Sequence, residues 1–426
     1  MRPTSTSILD LSPEILVQIL EYLCPHCSGE VDGTDTRSLG TWDSHVVKDS
    51  QSTLYGLSTS CRAMRNIAEP FLYHYIVHTE RAGLLARTLL QRPALARAVE
   101  ELAITAVDFT SKYDEKVSRE DQAIFEVQMQ TAGTNALEKD IFKRENMLGM
   151  LMLAHTPNVQ RLSVLTEPNV PVMCYPHGAL SCLTILRANC DDTDSGFDLS
   201  VLSGVMKAAP NLKTFVGFNL TRVDLKRGEI FSESVTEVNL AKATTWTVDF
   251  KMLIRGFPSL QVFRFETGRS RDFARATPAE MAKYLLARKE TLKEINISAS
   301  ASAFPDMLLL RDEVINYLAG MTSLETIILN SDSIYSEYDS ASYTDGSFLI
   351  GLLPESVRVL GLVDPPDHLE HDIFRLAASA SKRFPLLKKV MLQHVGRSKL
   401  KAYKKAFKNS SIKCVVAKGL DTIVRP

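Results

Sequence analysis

Cys24-Pro25-His26-Cys27 places two thiols three positions apart with an imidazole between them, the spacing of one half of a zinc site. No second Cys-x-x-Cys or His pair follows at the distance a structural site requires. Only His26 and His45 offer themselves as completions, and no metal is expected. His368-Leu369-Glu370-His371 is one residue short of the inverted zinc-protease arrangement, and helical geometry would not aim both imidazoles at one ion. Asp192, Asp194 and Asp198 surround Gly196, but Ser203 stands where a calcium loop needs glutamate. No phosphate-binding glycine loop, dinucleotide fingerprint or Gly-x-Ser-x-Gly elbow is present. Cys61 fits the buried face of a predicted helix, which argues against a nucleophile. The chain is therefore expected to be neither an enzyme nor a cofactor carrier.

The 426 residues are 45% hydrophobic and 23% charged, enough apolar material for a large core and too much for a disordered chain. A formal net charge of −1 gives no general attraction for nucleic acid or an anionic membrane, so partners must be recognised locally. The longest apolar run, Met147 to Ala154, is too short for a bilayer span, and the first residues lack an apolar signal core. Seven scattered cysteines suit free thiols in a reducing compartment. Cytosol or nucleus is the expected location.

Two amino-terminal segments have the spacing of amphipathic helices. Ser12 can cap a helix that opens with Pro13, and Leu11 and Leu16 occupy staple positions. Ile15, Leu16, Ile19, Leu20 and Leu23 then form a wide apolar face. A second tract carries Leu54, Leu57, Cys61, Met64, Ile67 and Ala68 on one side and is expected to end before Pro70, with Phe71 to Val77 extended. Between the two lies a polar insert, about residues 24–52, read as a surface excursion.

These residues resemble the F-box: Leu11, Pro13, Glu14, Ile15, Leu16, Ile19, Leu20 and Leu23, then Leu54, Leu57, Cys61, Arg62, Ile67, Ala68 and Pro70. The proline stands one place later than in the commonest form, and the insert replaces a short loop. The resemblance implies docking to a Skp-type adaptor and through it to a cullin scaffold, with Leu11, Pro13, Ile15, Leu16, Ile19, Leu20, Leu23, Leu54 and Leu57 as the contact residues. Periodicity alone would equally suit helices that merely cap the end of a neighbouring domain.

From Val159 onward a pattern recurs in which an apolar anchor is followed at the third and fifth positions by further anchors. The nine copies are Val159-Leu162-Val164, Leu180-Leu183-Ile185, Leu212-Phe215-Gly217, Val235-Val238-Leu240, Leu260-Phe263-Phe265, Leu292-Ile295-Ile297, Leu324-Ile327-Leu329, Val357-Leu360-Leu362 and Leu387-Val390-Leu392, spaced 21 to 33 residues apart. Val99-Leu102-Ile104 is a further, earlier copy, and Ile412, Cys414 and Val416 alternate as a final strand would. Helix signals fall between copies: a capping box at Thr277 to Glu280, and the stretches Leu199 to Ala208, Met307 to Leu318 and Ile373 to Lys382.

The pattern resembles leucine-rich repeats over about Val99 to Val416. It implies an α/β fold, an irregular βα solenoid with a curved parallel sheet following the helical F-box. The domain map is then residues 8–75 and 76–426. A conventional α/β domain whose strands share a preceding turn stays open as an alternative.

On such strands the side chains between the anchors share one face. Arg161, Lys213, Glu237, Asn239, Gln261, Arg264, Lys293, Asn296 and Glu325 are the candidates there for binding a protein substrate, with the loop Ile334 to Ser347 beside them. The basic end from Arg397 to Lys418 reads as a capping helix with a solvated face rather than a nucleic-acid site. The F-box pairing implies a substrate-recognition subunit; a scaffold working without ubiquitination is the alternative.

Overall fold

In a computed structural model of the chain the described residues are 8–28, 45–76, 82–105, 118–131, 144–166, 175–190, 196–223, 229–268, 276–299, 309–336 and 346–417. By backbone contacts the chain divides into two units, residues 1–191 with 201–212, and residues 192–200 with 213–426. The fold class is α/β, with parallel strands in both units.

The first unit opens with α1 (Pro13–Leu23), α2 (His45–Ser60) and α3 (Arg62–His74), followed by β1 (Tyr75–Ile76), α4 (Ala82–Gln91), α5 (Pro93–Ala98), β2 (Glu101–Thr105), α6 (Arg119–Thr131), α7 (Arg144–His155), β3 (Arg161–Thr166) and β4 (Ile185–Cys190). Its strands pair in chain order, β1 to β2 to β3 to β4, all parallel. The short α8 (Ser203–Ala208) also belongs here.

Three expectations are corrected in this unit. The single second helical tract is two helices, broken at Cys61, whose extended backbone lets its Sγ accept from Met64 N at 3.4 Å. Cys61 is therefore an exposed N-cap, not a buried face residue. Pro70 does not end the helix either: α3 continues through it to His74, and of the stretch expected to be extended Tyr75 and Ile76 are so, Val77 lying outside the described residues. The polar insert is shorter than expected, since α2 begins at His45; residues 29–44 lie outside the described ones.

The second unit contains β5 (Phe197–Asp198), β6 (Thr214–Phe218), β7 (Leu220–Arg222), β8 (Glu237–Ala243), α9 (Thr247–Gly256), β9 (Val262–Thr267), α10 (Pro278–Leu285), β10 (Glu294–Ser298), β11 (Thr326–Asn330), α11 (Phe348–Leu352), β12 (Val359–Val363), α12 (Glu370–Arg383), β13 (Lys389–Gln393), α13 (Arg397–Phe407) and β14 (Lys413–Val416). Apart from the small β5 and β7 pair, its strands follow one another in sequence order and are parallel throughout.

The anchors explain this order. Phe263, Ile295, Ile327, Leu360, Val390 and Cys414 share one register row, and all but Cys414 are sealed completely. Each strand thus has an inner side that only its neighbours and helices can cover. The one misaligned copy is Leu180-Leu183-Ile185. Leu162 pairs with Leu186 and Val164 with Ala188, so the true anchors are Leu183, Leu186 and Ala188, three positions later.

A second repeat lies in the backbone just before eight of the strands. The carbonyls of Glu100 and Gln160 in the first unit each accept two successive N–H groups of the following strand at 2.8–3.1 Å. In the second unit Lys213, Thr236, Gln261, Lys293, Glu325 and Arg358 do the same at 2.7–3.2 Å. Beyond the strands, Asn219, Asp364 and His394 take left-handed backbone with φ 58, 52 and 57°, residue types that tolerate this region better than most.

The capping box stands as expected: Thr277 Oγ1 accepts from Glu280 N, Glu280 Oε2 accepts from Thr277 N, and Pro278 is the first helical residue. The helix expected over Met307 to Leu318 is absent from its described part, residues 309–318. Ile315 N and Leu318 N donate to the carbonyls of Ser333 and Leu352, so this backbone is satisfied by other elements instead of by a helical ladder.

Candidate functional site

The helical segment divides its apolar residues into two sets. Leu20, Cys24, Leu54 and Ala68 form a closed cluster, with Leu23, Leu57, Ile67, Phe71 and Leu72 packed against it. Leu16, Leu20 and Leu54 are only 4%, 0% and 1% exposed. All three are among the expected adaptor contacts; Leu20 and Leu54 instead join α1 to α2 and α3, and Leu16 is likewise covered by the chain, because a short helix must bury part of its stripe to stay folded at all. Leu11 and Ile15 are 41% and 42% exposed, next to exposed Ile8 and Leu9. Pro13 is exposed, and Ile19, Leu23 and Leu57 are half-buried. Ser12 sits at the N-cap without a side-chain cap bond. The backbone N–H of Glu14 and, secondarily, the neighbouring Ser12 side chain hold the Glu14 carboxyl below the usual range.

On the sheet face between the anchors, polar residues form two networks, one per unit. In the first, Glu101 lies 3.3 Å from Arg187 and 3.4 Å from Arg161. Burial pushes the Glu101 carboxyl up, against the pull of the two guanidiniums. In the second, Arg264 pairs with Glu237, with Glu294 at 2.8 Å and with the Asn239 side-chain oxygen at 3.1 Å. Asn239 and Asn296 are buried beside it, on the same register row.

The remaining candidates stand at the strand entrances, where their carbonyls make the doubled bonds described above. Lys213 and Lys293 are exposed, Gln261 is half-buried, and Glu325 pairs with Arg358 at 3.2 Å. Towards the carboxyl end the same face turns apolar, with Ile328, Val363, Met391 and Ala417 buried together. Alternation alone indicated which side chains share this face, but not that they spend their charges on one another. In the loop Ile334 to Ser347, Tyr335 is buried against Phe348 at 5.0 Å between ring centroids; Tyr338 and Tyr343 lie outside the described residues.

The motifs first read as chemistry have local roles. Asp198 Oδ1 accepts from the N–H and hydroxyl of Ser200, at 3.0 and 2.7 Å. Gly196 has φ +58°, and a Cβ there would stand 2.6 Å from the Asn219 carbonyl oxygen. Asp192 and Asp194 fall outside the described residues. His368 to His371 span the turn into α12.

The Cys24-Pro25-His26-Cys27 turn is different, because the fold brings a group to it that the sequence reading did not consider. The continuation of α3 past Pro70 carries His74 to the end of α1. His74 Nδ1 lies 3.3 Å from Cys27 Sγ and 3.9 Å from Cys24 Sγ, and the three donor atoms are all within 4.8 Å of one another. His26 Nδ1 is 3.9 Å from Cys27 Sγ and 3.4 Å from Glu100. Burial lowers the pKa of both imidazoles despite nearby Glu100. Burial and the neighbouring Cys24 push the Cys27 thiol up to about 12.

In comparison with known proteins, no protein-family profile and no curated protein matches this chain. Among the described residues no helix is long and apolar enough to cross a membrane.

Proposed function

We propose that the chain is a non-catalytic substrate-recognition subunit of a Skp–cullin–F-box type ubiquitin ligase. In this reading α1 to α3 form an F-box that docks a Skp-type adaptor, and the parallel strands belong to an irregular leucine-rich-repeat-like domain that binds a target protein. The observation that carries it is the division at the start of α1: Leu16 and Leu20 are sealed by the chain itself, while Ile15 on the helix and Ile8, Leu9 and Leu11 just before it remain exposed. Exposed apolar side chains at the entry to an anchored helix suit a partner's groove. The repeat register supplies a rigid platform for the second function, and a receptor of this kind raises effective concentration without contributing a reacting group.

The test is binding of the full chain to a purified Skp-type adaptor. Wild type should bind, and Leu11→Lys combined with Ile15→Lys should lose binding at least about tenfold, the effect of roughly 1.4 kcal/mol, with its circular dichroism unchanged. Equal binding by the double variant would reject the docking surface. Failure of the wild type to bind would favour a scaffold that works without ubiquitination.

A further inference from the structure

We propose that Cys24, Cys27 and His74 are the protein ligands of a structural zinc ion that fastens the end of α1 to the end of α3. Zinc bonds thiolate sulfur at about 2.3 Å and imidazole nitrogen at about 2.0 Å in a tetrahedron, which sets neighbouring donors roughly 3.5–3.8 Å apart. The observed separations of 3.3 and 3.9 Å between His74 Nδ1 and the two sulfurs bracket that edge. Shifts of a few tenths of an ångström, opening the shorter contact and closing the longer, would seat an ion among the donors. Two thiolates with an imidazole form a borderline-soft set, which selects zinc over magnesium or calcium. A fourth position would be filled by water or by His26, whose Nδ1 is 3.9 Å from Cys27 Sγ.

The surroundings fit a structural rather than a reactive role. Cys24 is completely buried in the core joining α1, α2 and α3, so the ion would be anchored on one side by the hydrophobic cluster. His74 is fixed by its own backbone, whose carbonyl accepts from Glu100 N at 3.0 Å, and by Phe71, 4.8 Å away between ring centroids. The ligands come from both sides of residues 29–44, so one ion would join segments 47 residues apart in the chain. Binding displaces two thiol protons to solvent and changes no oxidation state. The site does not depend on whether α1 binds an adaptor, and its test reads metal alone.

The full chain, expressed with zinc and purified under reducing conditions, should retain about one equivalent of zinc by elemental analysis. Replacement by Co²⁺ should give the sulfur-to-cobalt charge-transfer and intense d–d bands of a tetrahedral thiolate site. Cys27→Ser and His74→Asn should each weaken Co²⁺ binding by about tenfold or more, while Cys182→Ser, at an exposed thiol elsewhere, should leave it unchanged. Because the wild-type spectrum is itself diagnostic, the proposal survives or falls even if a variant fails to fold. Absence of zinc together with absence of cobalt–thiolate bands, when all thiols titrate as reduced, would overturn it. A Cys24–Cys27 disulfide in protein kept under reductant would overturn it as well.

Discussion

Arg187 Nη1 lies 3.3 Å from Glu101 Oε1, and both side chains are almost completely removed from solvent. The partners come from β4 and β2, with β3 between them contributing Arg161 to the other carboxylate oxygen. Glu101→Ala would leave a buried guanidinium without its counter-charge and should cost about 3–5 kcal/mol. Replacing the pair with Glu101→Leu and Arg187→Met should recover most of that loss. Chemical denaturation of the two variants decides it, and a Glu101→Ala variant within about 0.5 kcal/mol of wild type would mean that the pair is not closed in solution.

The two edges of α1 should respond oppositely to substitution. Leu20→Ala removes a completely buried side chain and should lower stability by about 2–5 kcal/mol. Ile15→Lys, at an exposed position, should stay within about 0.5 kcal/mol of wild type. Urea denaturation monitored by circular dichroism measures both; similar losses at the two sites would contradict the observed division.

Arg264 couples three strands through Glu237, Asn239 and Glu294. Its removal brings two carboxylates into unrelieved proximity, and Arg264→Ala should cost about 1 kcal/mol. A double-mutant cycle with Glu294→Gln should show a coupling of at least about 0.5 kcal/mol. Strict additivity would show that the network is not formed.

Stability should also fall in mild acid. Burial depresses the folded-state pKa values of His26 and His74 below the ordinary histidine value. Glu100 and Glu21 oppose this at His74, while Glu100 opposes and Arg161 reinforces it at His26. The stability these neutral rings contribute is present above about pH 6.5 and is lost as pH falls through their lowered values. In thermal melts of chelator-treated, metal-free protein between pH 7 and 5, His74→Asn should show a smaller decline than wild type; parallel declines would assign the acid sensitivity to other groups.

Most strands were legible because their anchors are periodic and completely buried. Phe263, Ile295, Ile327, Leu360 and Val390 announce themselves by spacing, and the register joins them. Leu180 misled because it is itself buried and stands three places ahead of Leu183, so two alignments fit equally well until pairing with β3 selects one. Residues 309–318 have helical apolar spacing, yet the amides of Ile315 and Leu318 are taken by distant carbonyls, a tertiary preference that periodicity does not record. Pro70 was read as a stop, although a helix can carry an internal proline when its neighbours pack around it. That single misreading also hid His74, since extended backbone from Phe71 onward would not have been expected to return an imidazole to Cys27. Of the candidate surfaces, exposure at Ile15 and burial at Leu16 and Leu20 could not be separated by pattern, because all three lie within one broad apolar stripe of α1.

The carbonyls that each hold two amides of the following strand clamp the start of every such β-strand before its side chains engage. Chain between one clamp and the next can lengthen or shorten without disturbing alignment, which accounts for the uneven intervals separating otherwise equivalent strands. Variation is thereby channelled into the crossovers, where new contacts can be tried while the pitch of the ladder is preserved.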